Sequence, residues 1–298
     1  MFYYRGYQMK SLIIKNDPFR ILQFTDIHLM NMPTDDETFR LMNVSILETA
    51  PELIIITGDI TMTYNHQALL EKLRDFIDCY FIPWTFVFGN HDHEGSLSLS
   101  EQADILMQGN YCYFEKGNPH LKGIGNHYIS LNHNGKVVSL IGLLDTHDHQ
   151  VEIINEKEIW LWDHLEHSQI NEAYETIESL KQSHPDLISL FFFHIPITEF
   201  KTQIEQALPI NGSCYEQISS SNYNSQFFNQ IIQTKTLKGV FVGHDHVCDF
   251  SFEKEGCLLA FGRCTGHYNY TMPEFTKGAR IIDIDSSGNV SSWVYLEK

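Results

Sequence analysis

The sequence has little positive charge and no stretch that concentrates it. Lysine and arginine together number 20 against 38 aspartates and glutamates, so the formal net charge is −18 at pH 7. A chain without a basic stripe cannot replace the counterions along a nucleic-acid backbone or an anionic membrane. We therefore expect neither a nucleic-acid duplex nor a membrane as partner. A small phosphorylated substrate is compatible with this charge, because bound divalent cations would reverse it locally.

Long apolar runs and paired cysteines are also missing. No segment approaches the roughly 20 apolar residues of a membrane span, and residues 1–20 lack the run of about seven apolar residues that a signal peptide needs. The six cysteines, at positions 79, 112, 214, 248, 257 and 264, form no C-x-x-C pair, so we expect mostly reduced, buried thiols. These absences predict a cytoplasmic protein. Since no linker or repeat interrupts the chain, we expect residues 1–298 to form a single domain.

What the first third of the sequence does have is apolar runs that alternate with helical patterns. Residues 20–25, 53–57 and 84–88 are typical of strands, and the spacing of apolar residues predicts helices over 38–49 and 67–79. The run at 53–57 is apolar on both faces, as in a central strand covered on both sides. This order predicts a parallel sheet with right-handed crossovers.

The rest of the chain mixes strands and helices differently. The dipeptide Asn134-Gly135 separates apolar runs at 128–131 and 136–144, which predicts an antiparallel hairpin. Four further elements are predicted: a long helix over residues 155–183, a strand up to His194, a short helix over 227–232 and a strand before Gly243. The tail alternates short strands with turns, at residues 247–252, 257–261, 279–284 and 290–295. That alternation predicts a second, largely antiparallel sheet.

Five of the predicted strands end in the same kinds of polar residue. The segments that follow them are Asp26-Ile27-His28, Gly58-Asp59, Gly89-Asn90-His91-Asp92, His194 and Gly243-His244-Asp245-His246. Ligands of open α/β sheets bind at the carboxyl ends of the strands. Carboxylates and imidazoles on rigid elements are what hard or borderline divalent metals prefer. The joint pattern therefore predicts a metal site at this edge.

Two of these segments place a pair of ligands two residues apart. Asp26 and His28 share one side of a segment that we expect to be extended, so both side chains point towards one metal. His244 and His246 repeat this geometry from another strand. Gly89 is expected to let the backbone bend where a side chain would clash.

The remaining candidate ligands come singly. Asp59 stands alone at its strand end and is the natural bridge between two metals, although it could also cap the next helix. Asn90 offers a neutral carbonyl oxygen, and His194 offers one imidazole.

Together these segments resemble the motif set of the calcineurin-like metallophosphoesterases, with all five blocks present in order. Further stretches resemble the small single-domain branch related to plant purple acid phosphatases: residues 191–196, 240–247, 262–266 and 278–280. The resemblance spans residues 20–285. It implies an α/β fold, a four-layer α/β/β/α sandwich of two mixed β-sheets flanked by helices.

The same resemblance implies two divalent metal ions as cofactors. One would be held by Asp26, His28, Asp59 and His246, and the other by Asp59, Asn90, His194 and His244. The purple enzymes carry a tyrosine that binds ferric iron three residues after the shared aspartate, where this chain has Met62. Tyr64 lies at the wrong distance to substitute, so His28 takes the corresponding role. We expect a colourless site that holds manganese, iron or zinc.

Two such metals lower the pKa of a bridging water and clamp the phosphate oxygens. We therefore predict a metal-dependent phosphoesterase that cleaves a small phosphomonoester by attack of a metal-bridging hydroxide. His91, beside a ligand, is the candidate general acid for the leaving alkoxide, and Asp92 is expected to orient it. Phosphodiesters, cyclic nucleotides included, are the alternative on the same site. A non-catalytic metal-binding scaffold is a third interpretation.

Substrate contacts are expected from Asn90 and Arg263. Arg263 lies in a glycine-bounded loop, and a phosphate contact and a structural salt bridge are equally good explanations for it. The triplet His147-Asp148-His149 imitates the other His-Asp-His segments but lacks the preceding glycine. It is a weaker candidate, for the lining of the substrate pocket.

Overall fold

The computed structural model describes residues 3–4, 7–154 and 156–297. The strands of this part of the chain are β1 (Tyr3–Tyr4), β2 (Tyr7–Gln8), β3 (Lys10–Ile13), β4 (Phe19–Phe24), β5 (Leu53–Thr57), β6 (Trp84–Val87), β7 (His127–His133), β8 (Lys136–Leu143), β9 (His149–Ile154), β10 (Lys157–Trp162), β11 (Ile188–Phe192), β12 (Leu237–Val242), β13 (Ser251–Lys254), β14 (Cys257–Phe261), β15 (Gly278–Ile284) and β16 (Val290–Leu296). The α-helices are α1 (Thr34–Thr49), α2 (Gln67–Asp78), α3 (Leu99–Leu106), α4 (His167–Lys181), α5 (Thr198–Glu205) and α6 (Phe227–Ile231).

Two large mixed sheets carry most of these strands. One has the order β16-β15-β4-β5-β6, with β4, β5 and β6 parallel and β15 and β16 antiparallel to their neighbours. The other has the order β13-β14-β12-β11-β8-β7-β3, and its centre from β14 to β8 is parallel. Strands β1 and β2 pair with each other, as do β9 and β10.

The alternation of side chains along the strands builds a core on each side of the five-stranded sheet. In β5, Leu53 and Ile55 pack with residues of the seven-stranded sheet, while Ile54 and Ile56 pack with α1, α2 and α3. A third cluster joins α4, α5 and α6 to the outer face of the seven-stranded sheet. The predicted four-layer α/β/β/α sandwich is therefore confirmed.

Several local predictions are confirmed closely. Strand β5 has the predicted bounds, and β4, β5 and β6 are parallel and connected through α1 and α2. The antiparallel hairpin of β7 and β8 turns at Asn134 and Gly135, with φ of 51° and 79°, the left-handed conformation that this dipeptide favours. Helix α1 begins four residues earlier than expected.

The long helix predicted over residues 155–183 is wrong in its first third. Residue 155 lies outside the described residues, and residues 157–162 form β10, which pairs with β9. The helix begins only after Glu166, whose backbone N–H donates to Gln169 Oε1 at 2.8 Å. The segment from Lys157 to Trp162 contains aromatic and branched residues that suit a strand, and its cross-strand partners outweigh the helical spacing.

The tail does not form a second sheet of its own, so that prediction is also wrong. Strands β13 and β14 extend the seven-stranded sheet, and β15 and β16 extend the five-stranded one. Alternation identifies strands but not their partners, which are distant in sequence: β15 pairs with β4.

The cysteines differ in their oxidation state, and the helices are short. Cys214 and Cys248 form a disulfide, which corrects the expectation of reduced thiols at these two positions. Cys112, Cys257 and Cys264 are free and buried, and Cys79 is free and exposed. Among the described residues, no helix has both the length and the apolar content that crossing a bilayer requires.

Candidate metal centre

The facing edges of the two sheets bring all seven predicted ligands together. Asp26, Asp59 and Asn90 follow β4, β5 and β6, whereas His194 and His244 follow β11 and β12 of the other sheet. All seven side chains are buried: Asp26, His28, Asp59, Asn90, His194, His244 and His246.

One half of the site combines two carboxylates with two imidazoles. Ligand atoms of Asp26, His28, Asp59 and His246 all lie within 4.8 Å of one another. His28 Nε2 is 3.2 Å from Asp59 Oδ2, and His246 Nε2 is 3.5 Å from Asp26 Oδ1. This donor set matches the predicted first metal site.

The other half shares Asp59 with the first. His194 Nε2 lies 3.3 Å from Asp59 Oδ2, 3.0 Å from Asn90 Oδ1 and 3.2 Å from His244 Nδ1. On its other side His194 is fixed by Thr57, whose carbonyl oxygen is 2.7 Å from Nδ1. Asp59 Oδ1 accepts the backbone N–H of His91 at 2.9 Å, which leaves Oδ2 between the two halves.

Four buried ligand atoms make no hydrogen bond: His28 Nε2, Asp59 Oδ2, His244 Nε2 and His246 Nδ1. Buried polar atoms without partners are costly and rare in folded proteins. Two of them, His28 Nε2 and Asp59 Oδ2, lie 3.2 Å apart within the ligand cluster, and they are nitrogen and oxygen donors that zinc, manganese and iron accept. The residues therefore fit a pair of divalent cations.

The electrostatics of the ligands point the same way. Burial opposes charge on Asp26, but the hydrogen bond and charge of His246 outweigh it and lower the pKa of Asp26 to about 2. Burial is likewise outweighed at Asp59, where His194 and His28 lower the pKa. Burial and the charge of His194 lower the pKa of His244 to about 3. Burial is also outweighed at His194, where the charges of Asp59 and Asp26 raise the pKa to about 10, so the two ionised carboxylates favour positive charge at this position.

The backbone around the ligands departs from the predicted extended segments. Asp26, His28, Asp59 and His244 have φ of 51°, 46°, 53° and 83°, in the left-handed region that residues other than glycine rarely adopt. Such conformations cluster at functional sites because surrounding structure holds them. The paired ligands converge through these tight turns rather than through strand alternation.

Two glycines leave room for the ligands. A Cβ at Gly89 would lie 2.2 Å from Asp59 Oδ1, and one at Gly58 would lie 2.4 Å from His194 Nδ1. The clash expected at Gly89 is therefore present, and the group that a side chain there would displace is the central carboxylate of Asp59.

His91 lies at the rim of the centre, but Asp92 does not orient it. The His91 ring is 5.1 Å from that of His28, and its Nδ1 is 2.8 Å from Glu94 Oε1. Asp92 is buried below the loop, where its two oxygens accept backbone N–H groups of Ile60, Thr61 and Gly89 at 2.9, 3.2 and 2.8 Å. The orienting role predicted for Asp92 is therefore wrong, because its acceptors are used to hold two loops together.

Arg263 forms the salt bridge rather than the phosphate contact. Its Nη1 lies 2.6 Å from Asp249 Oδ2, its Nε donates to the Thr276 carbonyl at 2.6 Å, and its guanidinium covers the Phe275 ring at 3.3 Å. With these contacts buried, the substrate-binding role expected for Arg263 is wrong.

Met62 occupies the position where the purple enzymes have a tyrosine. Its Sδ is 3.2 Å from His28 Nδ1, so it contacts a ligand and supplies no phenolate. Tyr64 is exposed.

The histidine triplet lies outside the centre. His147 Nε2 is 3.1 Å from Gln169 Oε1, and the His149 ring stacks on Trp160. A further cluster, Asp163, His164 and Glu166, is bridged by Lys122, whose Nζ lies 2.6 Å from Asp163 Oδ2 and 3.4 Å from Glu166 Oε1.

The roles of three residues around the centre were not identified from the sequence. Glu94 holds His91, Trp162 meets the ring of His244 edge-on at 4.4 Å, and Tyr270 stacks on His246 at 4.2 Å. Glu94 could have been found from its spacing of three residues after His91. The other two depend on folding of distant segments.

The family-level comparison agrees with this geometry. A model of the calcineurin-like phosphoesterase family matches residues 19–248. The chain belongs to that family, and the resemblance inferred from its motifs is confirmed.

Named relatives differ in what their names say about activity. The probable inactive purple acid phosphatase 28 of Arabidopsis thaliana is 29% identical, over 92% of this chain and 77% of that protein. Phosphatase DCR2 of Saccharomyces cerevisiae is 26% identical, over 93% of this chain and 54% of that protein. A crystal structure of a dimetal phosphatase from Danio rerio has the same fold, with a TM-score of 0.56 at 11% identity, over 94% of this chain and 100% of the other.

Proposed function

We propose that this chain is a binuclear metal-dependent phosphohydrolase that cleaves small phosphomonoesters. The position of Asp59 Oδ2 supports this most, since it lies 3.2 Å from His28 Nε2 and 3.3 Å from His194 Nε2. A carboxylate oxygen shared by two sets of ligand atoms suits two neighbouring divalent ions. When bound, such ions would supply an activated water near neutral pH and would neutralise the phosphate oxygens.

The residues of the chain would hold the ions and transfer a proton. Asp26, His28, Asp59 and His246 would hold one ion, and Asp59, Asn90, His194 and His244 the other. Glu94 fixes Nδ1 of His91, so Nε2 is the atom that passes a proton to the oxygen of the departing alcohol. The small size of the proposed substrate follows from the net charge of −18, which disfavours a polyanion.

A metal-binding scaffold is the competing function, and the name of the Arabidopsis relative favours it. The relative from yeast, by contrast, is named a phosphatase. Loss of the general acid would be expected in a scaffold, yet His91 lies at the rim of this centre.

The test is hydrolysis of p-nitrophenyl phosphate beside bis(p-nitrophenyl) phosphate. Protein stripped with chelator is reloaded with manganese, iron or zinc, and His91→Ala serves as the matched control. We expect metal-dependent turnover that is faster on the monoester. In His91→Ala, turnover of an alkyl phosphate, whose leaving alcohol needs the proton, should fall by about 10²–10⁴, and turnover of p-nitrophenyl phosphate should fall much less. Faster diester turnover would replace the monoester assignment, and no turnover with any metal would favour the scaffold.

A further inference from the structure

A hairpin stands beside the metal centre and outside both large sheets. Among the strands that the structure describes, β9 and β10 pair only with each other, in a register that runs from Trp162 opposite His149 to Lys157 opposite Ile154. The backbone N–H of Asp163 donates to the Asp148 carbonyl at 3.2 Å and closes its base. A two-stranded hairpin is only marginally stable on its own, so we expect its side chains to have a function other than stabilising the fold.

One face of the hairpin is apolar and exposed. Opposite residues of an antiparallel pair share a face, so His149, Val151, Ile153, Trp160 and Trp162 lie on the same side, with Glu158 at the far end. We call these five residues the hairpin face. Trp160 is 67% exposed, Val151 47% and Ile153 76%. Clustered apolar side chains of this kind mark ligand-binding or interaction surfaces.

The hairpin face begins at the metal centre. The Trp162 ring meets that of His244 at 4.4 Å with an interplanar angle of 86°. Residues on the same face follow at steps of about 7 Å along a strand, so Trp160 comes one step further out. The His149 ring stacks on Trp160 at 3.9 Å and 14°. An aromatic surface therefore leads outward from a proposed metal ligand.

A second aromatic side chain flanks the neighbouring ligand. The Tyr270 ring stacks on His246 at 4.2 Å and 24°, and its hydroxyl donates to Glu216 Oε2 at 2.6 Å. Tyr270 remains 56% exposed. The two histidines that follow β12 are thus each covered by one aromatic ring that still reaches solvent.

We propose that Trp162, Tyr270 and the hairpin face hold the organic group of the phosphoester and select a flat, uncharged aromatic group. This inference rests on the proposed function, which puts the phosphate at the metal centre. The organic group, still bonded to the phosphate, then extends from the centre past Trp162. Ring faces and edges of tryptophan and tyrosine interact favourably with other rings, and a flat ring buries much area against them.

The competing explanation is that Trp162 only positions His244. In that case its loss weakens every phosphate ligand equally, whatever organic group the ligand carries. Phenylphosphonate and methylphosphonate separate the two explanations, because they share the anionic group and neither has an ester to cleave. Their dissociation constants are measured by isothermal titration calorimetry on manganese-loaded protein, with metal content determined on the same samples.

Four proteins are compared: wild type, Trp162→Ala, Trp162→Phe and Trp293→Ala. Trp293 is a matched control, since it is 43% exposed on the edge strand β16. We expect wild type to bind phenylphosphonate roughly tenfold more tightly than methylphosphonate. In Trp162→Ala, the preference for phenylphosphonate over methylphosphonate should largely disappear, while the affinity for methylphosphonate stays unchanged. Trp162→Phe and Trp293→Ala should keep the preference.

The outcomes are distinguishable. Equal weakening of both phosphonates in Trp162→Ala, or equal binding of both by wild type, overturns the inference and leaves the proposed function standing. In the second case the hairpin face serves another partner. Metal-loaded wild type that binds neither phosphonate and hydrolyses neither p-nitrophenyl ester overturns the proposed function as well.

Discussion

Glu94 Oε1 lies 2.8 Å from Nδ1 of His91, so the carboxylate that orients this histidine is three residues along its own loop. The pair is partly exposed, and exposed ion pairs are worth at most about 1 kcal/mol.

Glu94→Gln should therefore lower turnover of an alkyl phosphate by no more than about fivefold, the rate equivalent of that energy. The loss in His91→Ala should be far larger. Steady-state kinetics on both variants with equal metal content checks this order, and an equal loss in the two would mean that Glu94 itself contacts the substrate.

Asp92→Asn should lower stability rather than remove a catalytic step. Its carboxylate accepts three backbone N–H groups, from Ile60, Thr61 and Gly89. An amide has one acceptor oxygen, so one buried N–H loses its partner, at a cost of about 1–3 kcal/mol. Urea unfolding measures this. A loss of turnover above about 10³ at unchanged stability would restore a catalytic role.

Arg263→Met should destabilise the fold and leave KM unchanged. It strips Asp249, a buried carboxylate, of its cation, and breaking a buried pair costs about 3–5 kcal/mol. Arg20→Met is the matched control, because the Arg20–Asp283 pair is partly exposed and its loss costs about 1 kcal/mol or less. A raised KM for the monoester in Arg263→Met, without loss of stability, would indicate a phosphate contact.

His127 makes stability depend on pH. Burial lowers the pKa of His127 to about 4, against 6.5 for an ordinary histidine. As the pH falls, the unfolded chain therefore protonates His127 before the folded chain does. The contribution of neutral His127 to stability is complete above pH 6.5 and declines as the pH falls to 4. The decline amounts to about 3 kcal/mol.

His127→Gln should lack this part of the pH dependence, whereas His167→Gln, at an exposed position, should keep it. Urea unfolding between pH 4 and 7 on the three proteins measures the difference. Parallel curves for wild type and His127→Gln would contradict the buried, neutral imidazole.

Features that depend on a short stretch of sequence were predicted correctly. Strand β5 was found from five apolar residues in succession, and the ligands were found because each follows an apolar run. Their convergence depends on two sheets whose carboxyl strand ends face each other, and on left-handed turns at the ligands that the sequence pattern did not predict. Features that depend on distant partners were missed: the pairing of β15 with β4, the use of Asp92 by the loop after β5 and the partner of Arg263. The hairpin of β9 and β10 is local, and it was missed because its apolar residues also have helical spacing.

The most direct measurement is metal content of manganese-reloaded wild type, Asp59→Ala and His91→Ala. Because Asp59 Oδ2 lies between the two sets of ligand atoms and His91 lies at the rim, we predict about two ions per chain in wild type and in His91→Ala. Asp59→Ala should hold less than one. A wild-type content of one ion or none, or an equal loss in both variants, would contradict the binuclear centre.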